Sequence, residues 1–269
     1  MATVFTQNWP RLDGATAAYP IYASAFYALS VLPEDFHEWE YLANSRTPEA
    51  YNKIVKGNAD IIFVAQPSGG QKKRAEESGV TLIYTPFARE AFVFIVNADN
   101  PVNSLTEQQV RDIFSGAITN WRTVGGNDQE IQTWQRPEDS GSQTVMQSQV
   151  MKNVRMISPQ ETEVASMMEG MIKVVAEYRN TNNAIGYTFR YYATQMNDDK
   201  NIKLLAINGI APTAENIRNG KYPYIVDAFM VTRENTTSET QKLLEWFLTP
   251  QGQSLVEDVG YVPMYKTLH

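Results

Sequence analysis

The chain has 269 residues, of which 43% are hydrophobic and 20% are charged, and its formal net charge is −7 at pH 7. This composition is typical of an ordinary globular protein, and the length allows one large or two modest domains. The acidic balance argues against a nucleic-acid partner, because binding a phosphate backbone needs clustered Lys and Arg.

Cysteine and histidine usage narrows the chemistry further. The chain has no cysteine, which excludes disulfides, thiolate catalysis and Cys-based metal sites. With only His37 and His269, a His-based hydrolase or a His-rich zinc site is not expected either, so we expect no metal and no cofactor. No apolar run approaches the roughly 18 residues of a membrane span. The first residues lack the basic and apolar regions of a signal peptide, so we expect no signal or lipoprotein leader within this sequence.

Two helix starts with hydroxyl caps are predicted near the beginning of the chain. A strand over 9–13 is followed by a Gly-containing turn and a helix over 17–32, with Thr16 as its N-cap. A strand is then predicted over 38–43, followed by a helix that begins behind Thr47 and ends at Gly57. Taken alone, the first of these starts is more typical of plain capping than of a ligand site.

The stretch over 58–64 turns into a continuous apolar run, which predicts a strand buried on both faces, as in a parallel sheet. Gln66 lies in the loop that follows it, and in open α/β sheets such loops bind ligands. Strands are also predicted over 81–87 and 91–96. A capping box at Thr106 then starts a helix that ends at Gly116.

The stretch over 134–144 is the most informative in the chain. A β-prone lead-in is followed by Arg136, a short polar turn and Ser140-Gly141-Ser142, which begins a helical segment. Unpaired backbone N–H groups and the helix dipole attract anions to such a start, and a residue without Cβ lets a ligand approach closely. An Arg beside it can hold a tetrahedral oxyanion with two donors.

Two more residues of this stretch support the predicted anion site. Glu138 is predicted to pair with Arg136 and hold its guanidinium in place, and the Thr144 hydroxyl is a further donor or acceptor. The alternative interpretation is an ordinary N-cap next to a surface Arg–Glu pair.

Strand and helix signals keep alternating to the end of the chain. A Met-rich helical segment over 158–176 precedes these elements: strands over 183–187, 202–207 and 224–232, a helix over 189–196, and capped helices over 238–248 and 249–260. This alternation favours an α/β architecture with mostly parallel sheets.

The segments over 89–96 and 222–232 predict crossover strands, because a compact α/β block separates them. We therefore expect a discontinuous domain 1, residues 1–88 plus 226–269, and a domain 2, residues 89–225. The cleft between two such domains is a natural ligand site.

In this order, the segments resemble the phosphate-binding proteins of ABC-type phosphate importers, in the two-domain periplasmic binding protein (PBP) superfamily. The resemblance extends over nearly the whole chain and rests on these stretches: 13–16, 59–63, 103–106, 112–116, 118–121, 136–144, 183–187 and 247–253.

The resemblance implies a type II clamshell in which each domain is a mostly parallel sheet flanked by helices. One dehydrated phosphate would be bound by Thr16, Ala17, Ser45, Gln66, Arg136, Ser140, Gly141 and Ser142. The protein would not be an enzyme. It would act as a monomer in the periplasm or on the extracellular face of the cytoplasmic membrane, and would deliver phosphate to a membrane permease and its ATPase.

Two residues bear on the choice of anion. The family places an Asp, which accepts the proton of phosphate, where this chain has Gln66, and an amide can offer either its NH₂ or its oxygen. Arg46 beside Ser45 would add a second cation if it pointed inward, and it would be solvated otherwise. Sulfate or another oxyanion is therefore an alternative ligand, and an anion sensor without a transporter is an alternative role. An enzyme acting on phosphate esters would need a nucleophile with a base, or a metal cluster.

Overall fold

The computed structural model describes residues 5–152, 154–159, 164–177, 183–197 and 199–265. Its strands are β1 (Leu12–Gly14), β2 (Ile61–Val64), β3 (Leu82–Asn97), β4 (Ser104–Leu105), β5 (Gln132–Thr133), β6 (Ala184–Phe189), β7 (Ile202–Leu204), β8 (Ala206–Ile207), β9 (Ile225–Arg233) and β10 (Val262–Pro263).

Its helices are α1 (Tyr19–Leu29), α2 (Arg46–Lys56), α3 (Gly69–Glu77), α4 (Glu107–Ser115), α5 (Gly141–Val145), α6 (Met168–Glu177), α7 (Arg190–Gln195), α8 (Ala214–Arg218), α9 (Ser238–Phe247) and α10 (Pro250–Val259). A π-helical segment, Met146–Met151, follows α5 directly. Within the described ranges, no helix is both long enough and apolar enough to cross a bilayer.

The chain forms two compact units. Unit 1 comprises Met1–Arg89 and Asp227–His269, and unit 2 comprises Glu90–Val226. Strands β3 and β9 each pass from one unit into the other. Two crossover strands of this kind are what the sequence predicts.

Unit 1 is built on a mixed sheet. β1 and β2 are parallel, with Leu12 opposite Ile61, whereas β2 and β9 are antiparallel. β10 pairs antiparallel with the first half of β3. The core between this sheet and α2 includes fully buried Ile54, Ile62 and Val231.

Gly14 shows why β1 and the turn after it can lie so close to β2. A Cβ at this position would be 2.4 Å from the carbonyl oxygen of Phe63 and 3.1 Å from the Tyr22 ring. The next residue donates its backbone N–H to the same carbonyl, from Ala15 N to Phe63 O at 2.9 Å. Only glycine therefore fits at the end of β1.

Unit 2 is centred on the second half of β3. β6 pairs antiparallel with it, from Phe92 opposite Phe189 to Val96 opposite Ile185, and β7 pairs antiparallel on Ile95 to Asn97. β5 lies parallel to β6, and β4 and β8 form a separate parallel pair. The Tyr187 ring on β6 packs against aromatic rings of β3 and α4.

The predicted α/β architecture is confirmed, but the sheets are mixed rather than mostly parallel. β9 runs antiparallel to β2, β6 to β3, and β10 to β3. The two strands predicted over 81–87 and 91–96 are one continuous strand, β3. No turn is needed at Arg89 and Glu90, which the sequence presents as a polar interruption.

The strand predicted over 38–43 is wrong. Residues Glu38–Glu40 form a 3₁₀ turn, held by local bonds such as Tyr41 N to Glu38 O at 2.9 Å. Only Leu42 makes a β-bridge, which is parallel to Leu12. The turn pairs its backbone locally, so no strand partner is required there.

Both predicted caps near the start of the chain are also wrong. Ala15 precedes a 3₁₀ turn, Thr16–Ala18, that leads into α1, so Thr16 is the first residue of the turn and not its cap. α2 begins one residue after Ser45, and Thr47 is buried inside its first turn. The capping box at Thr106 and the helix ends at Gly57, Gly116 and Gly260 are confirmed.

Candidate functional site

The candidate residues of unit 1 lie at one edge of its sheet. Leu42, β1 and β2 run parallel, and Leu12 is opposite both Leu42 and Ile61. The carboxyl ends of all three segments therefore face the same way. Ser45 follows the first segment, the 15–17 turn follows β1, and Gln66 follows β2, so the sheet itself gathers these candidates.

Ser45 is held in place by the buried carboxylate of Asp13. Its backbone N–H donates to Asp13 Oδ1 at 2.8 Å, and its hydroxyl donates to Asp13 Oδ2 at 2.5 Å. Ser45 is the N-cap residue of α2, but its side chain makes no capping bond because the hydroxyl is directed to Asp13. These two contacts fix where α2 begins.

The other unit 1 candidates differ in environment. Ala17 is buried, and its carbonyl accepts a 2.7 Å hydrogen bond from the Tyr261 hydroxyl, which anchors the turn after β1. Thr16 and Gln66 are half-buried. Arg46 is exposed and has a positive φ of 68°. A non-glycine residue there costs about 1–2 kcal/mol, so the turn at the start of α2 is a strained one.

In unit 2, Arg136 is only 8% exposed. It follows β5, and its backbone N–H donates to the Tyr187 hydroxyl at 3.1 Å and to Gln143 Oε1 at 3.2 Å. The Tyr187 hydroxyl in turn donates to Gln143 Oε1. Burial raises the pKa of Tyr187, so this phenol stays protonated and keeps its donor role. The backbone that carries Arg136 is thereby tied to both β6 and α5.

The helix start after Arg136 is buried and polar. Ser140 is the N-cap of α5, and its Oγ accepts the Gln143 backbone N–H at 3.3 Å. The Thr144 hydroxyl donates back to the Ser140 carbonyl at 3.1 Å. Gly141 is buried, and Ser142 is 1% exposed with an Oγ that has no hydrogen-bond partner among the residues the structure describes. A buried hydroxyl without a hydrogen-bond partner destabilises the fold unless a ligand supplies that partner.

Glu138 and a nearby strained residue complete the picture of this stretch. The Gln147 side chain donates to Glu138 Oε2 at 3.0 Å, and the predicted pairing of Glu138 with Arg136 stays a prediction. Asp139, just before Ser140, has a positive φ of 64°. A cavity of about 610 Å³ in unit 2 is lined by Arg136, Glu138 and Gln143, but its lining does not include the serines at the start of α5.

The structure also reveals residues that the sequence interpretation missed. Asp13 holds Ser45 although 32 positions separate them, and Tyr187 holds the Arg136 backbone across 51 positions. No short motif signals contacts at such a distance. Gln143, in contrast, lies inside the stretch singled out from the sequence. In the described part of the chain, no group of three or more His, Cys, Asp or Glu is arranged to hold a metal ion.

Comparison with characterised proteins gives consistent relatives. The chain is 29% identical to the phosphate-binding protein PstS of Bacillus subtilis over an alignment of 209 residues, and this alignment covers 77% of this chain and 64% of that protein. It is 26% identical to PstS of Borreliella burgdorferi over an alignment of 218 residues that covers 79% of this chain and 74% of that protein. This chain therefore spans less than two thirds of the length of the first relative.

Solved structures show the same fold. A phosphate ABC transporter substrate-binding protein from Clostridium perfringens, described as putative and solved with bound phosphate, has a TM-score of 0.76 at 22% identity, covering 96% of this chain and all 100% of that one. An ABC-type phosphate transport receptor from Vibrio cholerae has a TM-score of 0.68 at 21% identity, covering 94% and 99%.

A family model described as a PBP superfamily domain matches residues 11–251, which is most of the chain. Its match, together with the α/β units and the crossover strands described above, leads to one conclusion: the chain belongs to the PBP superfamily.

Proposed function

We propose that this chain captures inorganic phosphate outside the cytoplasm and delivers it to the permease and ATPase of an ABC importer. The observation that carries the proposal is the stretch that leads into α5, where buried Arg136 precedes the buried Ser142 hydroxyl by six residues. The names of the PstS relatives and the phosphate bound in the Clostridium perfringens structure support it.

Recognition in this proposal rests on polar groups that both units contribute. Unit 1 supplies Thr16, the Ala17 backbone, Ser45 and Gln66. Unit 2 supplies the Ser140 to Ser142 turn and Arg136, whose guanidinium is the full positive charge opposite the anion. Backbone N–H groups and hydroxyls do the rest of the binding, so an acidic protein can still hold an anion.

No bond of the ligand is made or broken in this role. Arg136 and the hydroxyl groups bind and orient the anion, and release follows from the protein's own change of conformation on meeting the importer. Release of phosphate from a chromogenic phosphate ester would contradict this part of the proposal.

The test is isothermal titration of phosphate and of sulfate into protein that has been stripped of bound anion by unfolding and refolding. We expect tight, one-to-one binding of phosphate and much weaker binding of sulfate at the same ionic strength. If neither anion binds, the proposed function is wrong although the fold is right.

A second candidate ligand is sulfate, which Gln66 favours because its amide can donate as well as accept. Comparable affinities for the two anions would support this alternative. Gene neighbourhood distinguishes an anion sensor without a transporter, because permease and ATPase genes beside this gene would support delivery to an importer.

A further inference from the structure

Asp13 is fully engaged as a hydrogen-bond acceptor. Its Oδ1 accepts the backbone N–H groups of Gly14 at 2.7 Å and Ser45 at 2.8 Å, and its Oδ2 accepts the Ser45 hydroxyl at 2.5 Å and Lys53 Nζ at 2.9 Å. A carboxylate offers about four lone-pair directions, and these four donors occupy them. With 1% exposure, Asp13 has no surface left for a ligand.

The contact with Asp13 fixes the direction of the Ser45 hydroxyl. A serine hydroxyl carries one proton and two lone pairs, and Asp13 takes the proton. Ser45 is half-buried at the carboxyl edge of the sheet, so a ligand that reached its oxygen there would meet only lone pairs. Turning the hydroxyl round would remove a charge-assisted hydrogen bond from a buried carboxylate, which is unfavourable.

We propose that Asp13 is a positioning residue that makes Ser45 an acceptor, so that the site selects oxyanions that carry a proton. This inference rests on the proposed function. The P–O–H group of phosphate donates a hydrogen bond to Ser45 Oγ. Sulfate has no proton to donate, so any of its oxygens would face the Ser45 lone pairs as one acceptor against another. Discrimination against sulfate then resides in Asp13 and Ser45 and does not depend on the amide of Gln66.

The design of the test uses two pairs of tetrahedral anions at neutral pH. Phosphate and arsenate carry a proton there, whereas sulfate and selenate are fully ionised. Each is titrated into stripped wild-type protein and into Asp13→Asn. In Asp13→Asn, the amide oxygen keeps the backbone N–H bonds and the NH₂ group faces Ser45 Oγ, which frees the Ser45 proton for the ligand. The NH₂ group also replaces the acceptor of Lys53 Nζ, and the Lys53 side chain, which is 30% exposed, turns to solvent.

In the wild type, we expect phosphate and arsenate to bind at least about 100-fold more tightly than sulfate and selenate, because a site built to receive a hydroxyl rejects ligands without one. In Asp13→Asn, this ratio should fall by at least about tenfold, with tighter sulfate binding as the distinctive sign. A merely structural role of Asp13 would weaken all four anions equally.

Asp60→Asn is the matched control. Asp60 is in the same unit, where it accepts the Arg11 backbone N–H and pairs with the Arg11 guanidinium, each at 2.8 Å. It precedes β2, at the opposite end of that strand from Gln66. Asp60→Asn should therefore keep the wild-type ratio.

A second pair of variants keeps the proposal testable if Asp13→Asn fails to fold. Ser45→Ala removes the acceptor and should reduce the preference for phosphate and arsenate over sulfate and selenate, mainly by weakening the binding of phosphate and arsenate. Ser45→Thr should restore this preference. A wild-type ratio retained in Asp13→Asn or in Ser45→Ala overturns the inference while phosphate binding stands. If the wild type binds sulfate as tightly as phosphate, the inference is also overturned. If the wild type binds none of the four anions, both the inference and the proposed function are overturned.

Discussion

Ser142 offers the sharpest separation between a residue that serves the fold and one that serves the ligand. Its hydroxyl is buried and has no partner among the described residues. Leaving such a group unpaired costs about 1–3 kcal/mol, and replacing it by an apolar group of similar shape is close to neutral or stabilising. We therefore expect Ser142→Ala to leave the free energy of unfolding of stripped protein unchanged, or to raise it by about 1 kcal/mol.

The same change should weaken phosphate binding. A hydrogen bond to a charged group contributes about 1.5–3 kcal/mol, so Kd should rise by about 10- to 100-fold. Urea unfolding with and without phosphate is the assay, since a ligand at about 100 times its Kd adds about 2.7 kcal/mol to stability. Without phosphate the variant should be at least as stable as wild type, and in excess phosphate it should be less stable.

Ser148→Ala is the control for Ser142→Ala. The Ser148 hydroxyl lies in the helical segment after α5 and donates to the Thr144 carbonyl at 2.6 Å, so the same chemical change there removes a hydroxyl that has a partner. Its phosphate Kd should equal that of wild type. The reasoning is refuted if Ser142→Ala destabilises the stripped protein and leaves phosphate affinity unchanged.

Three further predictions follow from the site and its supports. Arg136→Met should weaken phosphate binding by about 2–5 kcal/mol in titration calorimetry, because a buried anion would lose its charged partner, and Arg136→Lys should recover only part of this since it lacks the two-pronged fork. Gly14→Ala should lower the free energy of unfolding in urea by at least about 1–3 kcal/mol, because its Cβ would be 2.4 Å from the Phe63 carbonyl oxygen, whereas Gly69→Ala has no atom within 4 Å and should be tolerated. Burial raises the pKa of Glu90 from 4.5 to about 7, so the folded state holds this proton more tightly than the unfolded chain. The stability that this proton contributes, about 3 kcal/mol at most, is present below about pH 4.5 and is lost as the pH rises through 7; unfolding measured across this range should show the loss in wild type and not in Glu90→Gln.

Each of these three predictions has a clear contrary result. If wild type and Arg136→Met bound phosphate with equal affinity, Arg136 would not be a phosphate ligand. A Gly14→Ala protein as stable as Gly69→Ala would mean that β1 and β2 tolerate a wider spacing. Parallel stability curves for wild type and Glu90→Gln would show that the Glu90 carboxyl group has the same proton affinity in the folded and unfolded chains.

Local signals explain which parts of the fold are predictable from sequence. The capping box at Thr106 and the glycines that end α2, α4 and α10 act within a few residues, and the structure has them where the sequence predicts. The strand prediction for residues 38–43 failed because the apolar and aromatic side chains there suit a strand, whereas the backbone hydrogen bonds are made locally in a 3₁₀ turn.

The start of α2 shows why other parts are not predictable. A hydroxyl followed by Pro48 makes Thr47 the natural cap, but Asp13 holds Ser45 from a distant part of the chain and starts the helix earlier. The same tertiary contact sets the direction of the Ser45 hydroxyl. The Arg136 to Ser142 stretch could be singled out because its residues are contiguous, and their role as phosphate ligands stays a prediction until binding is measured.

Equilibrium dialysis of stripped protein against radiolabelled phosphate, with unlabelled sulfate as competitor, tests the proposed capture of phosphate most directly. The proposal predicts saturation at one phosphate per chain, and no displacement by sulfate at concentrations where unlabelled phosphate displaces the label completely. Absence of saturable phosphate binding by correctly folded protein would contradict it.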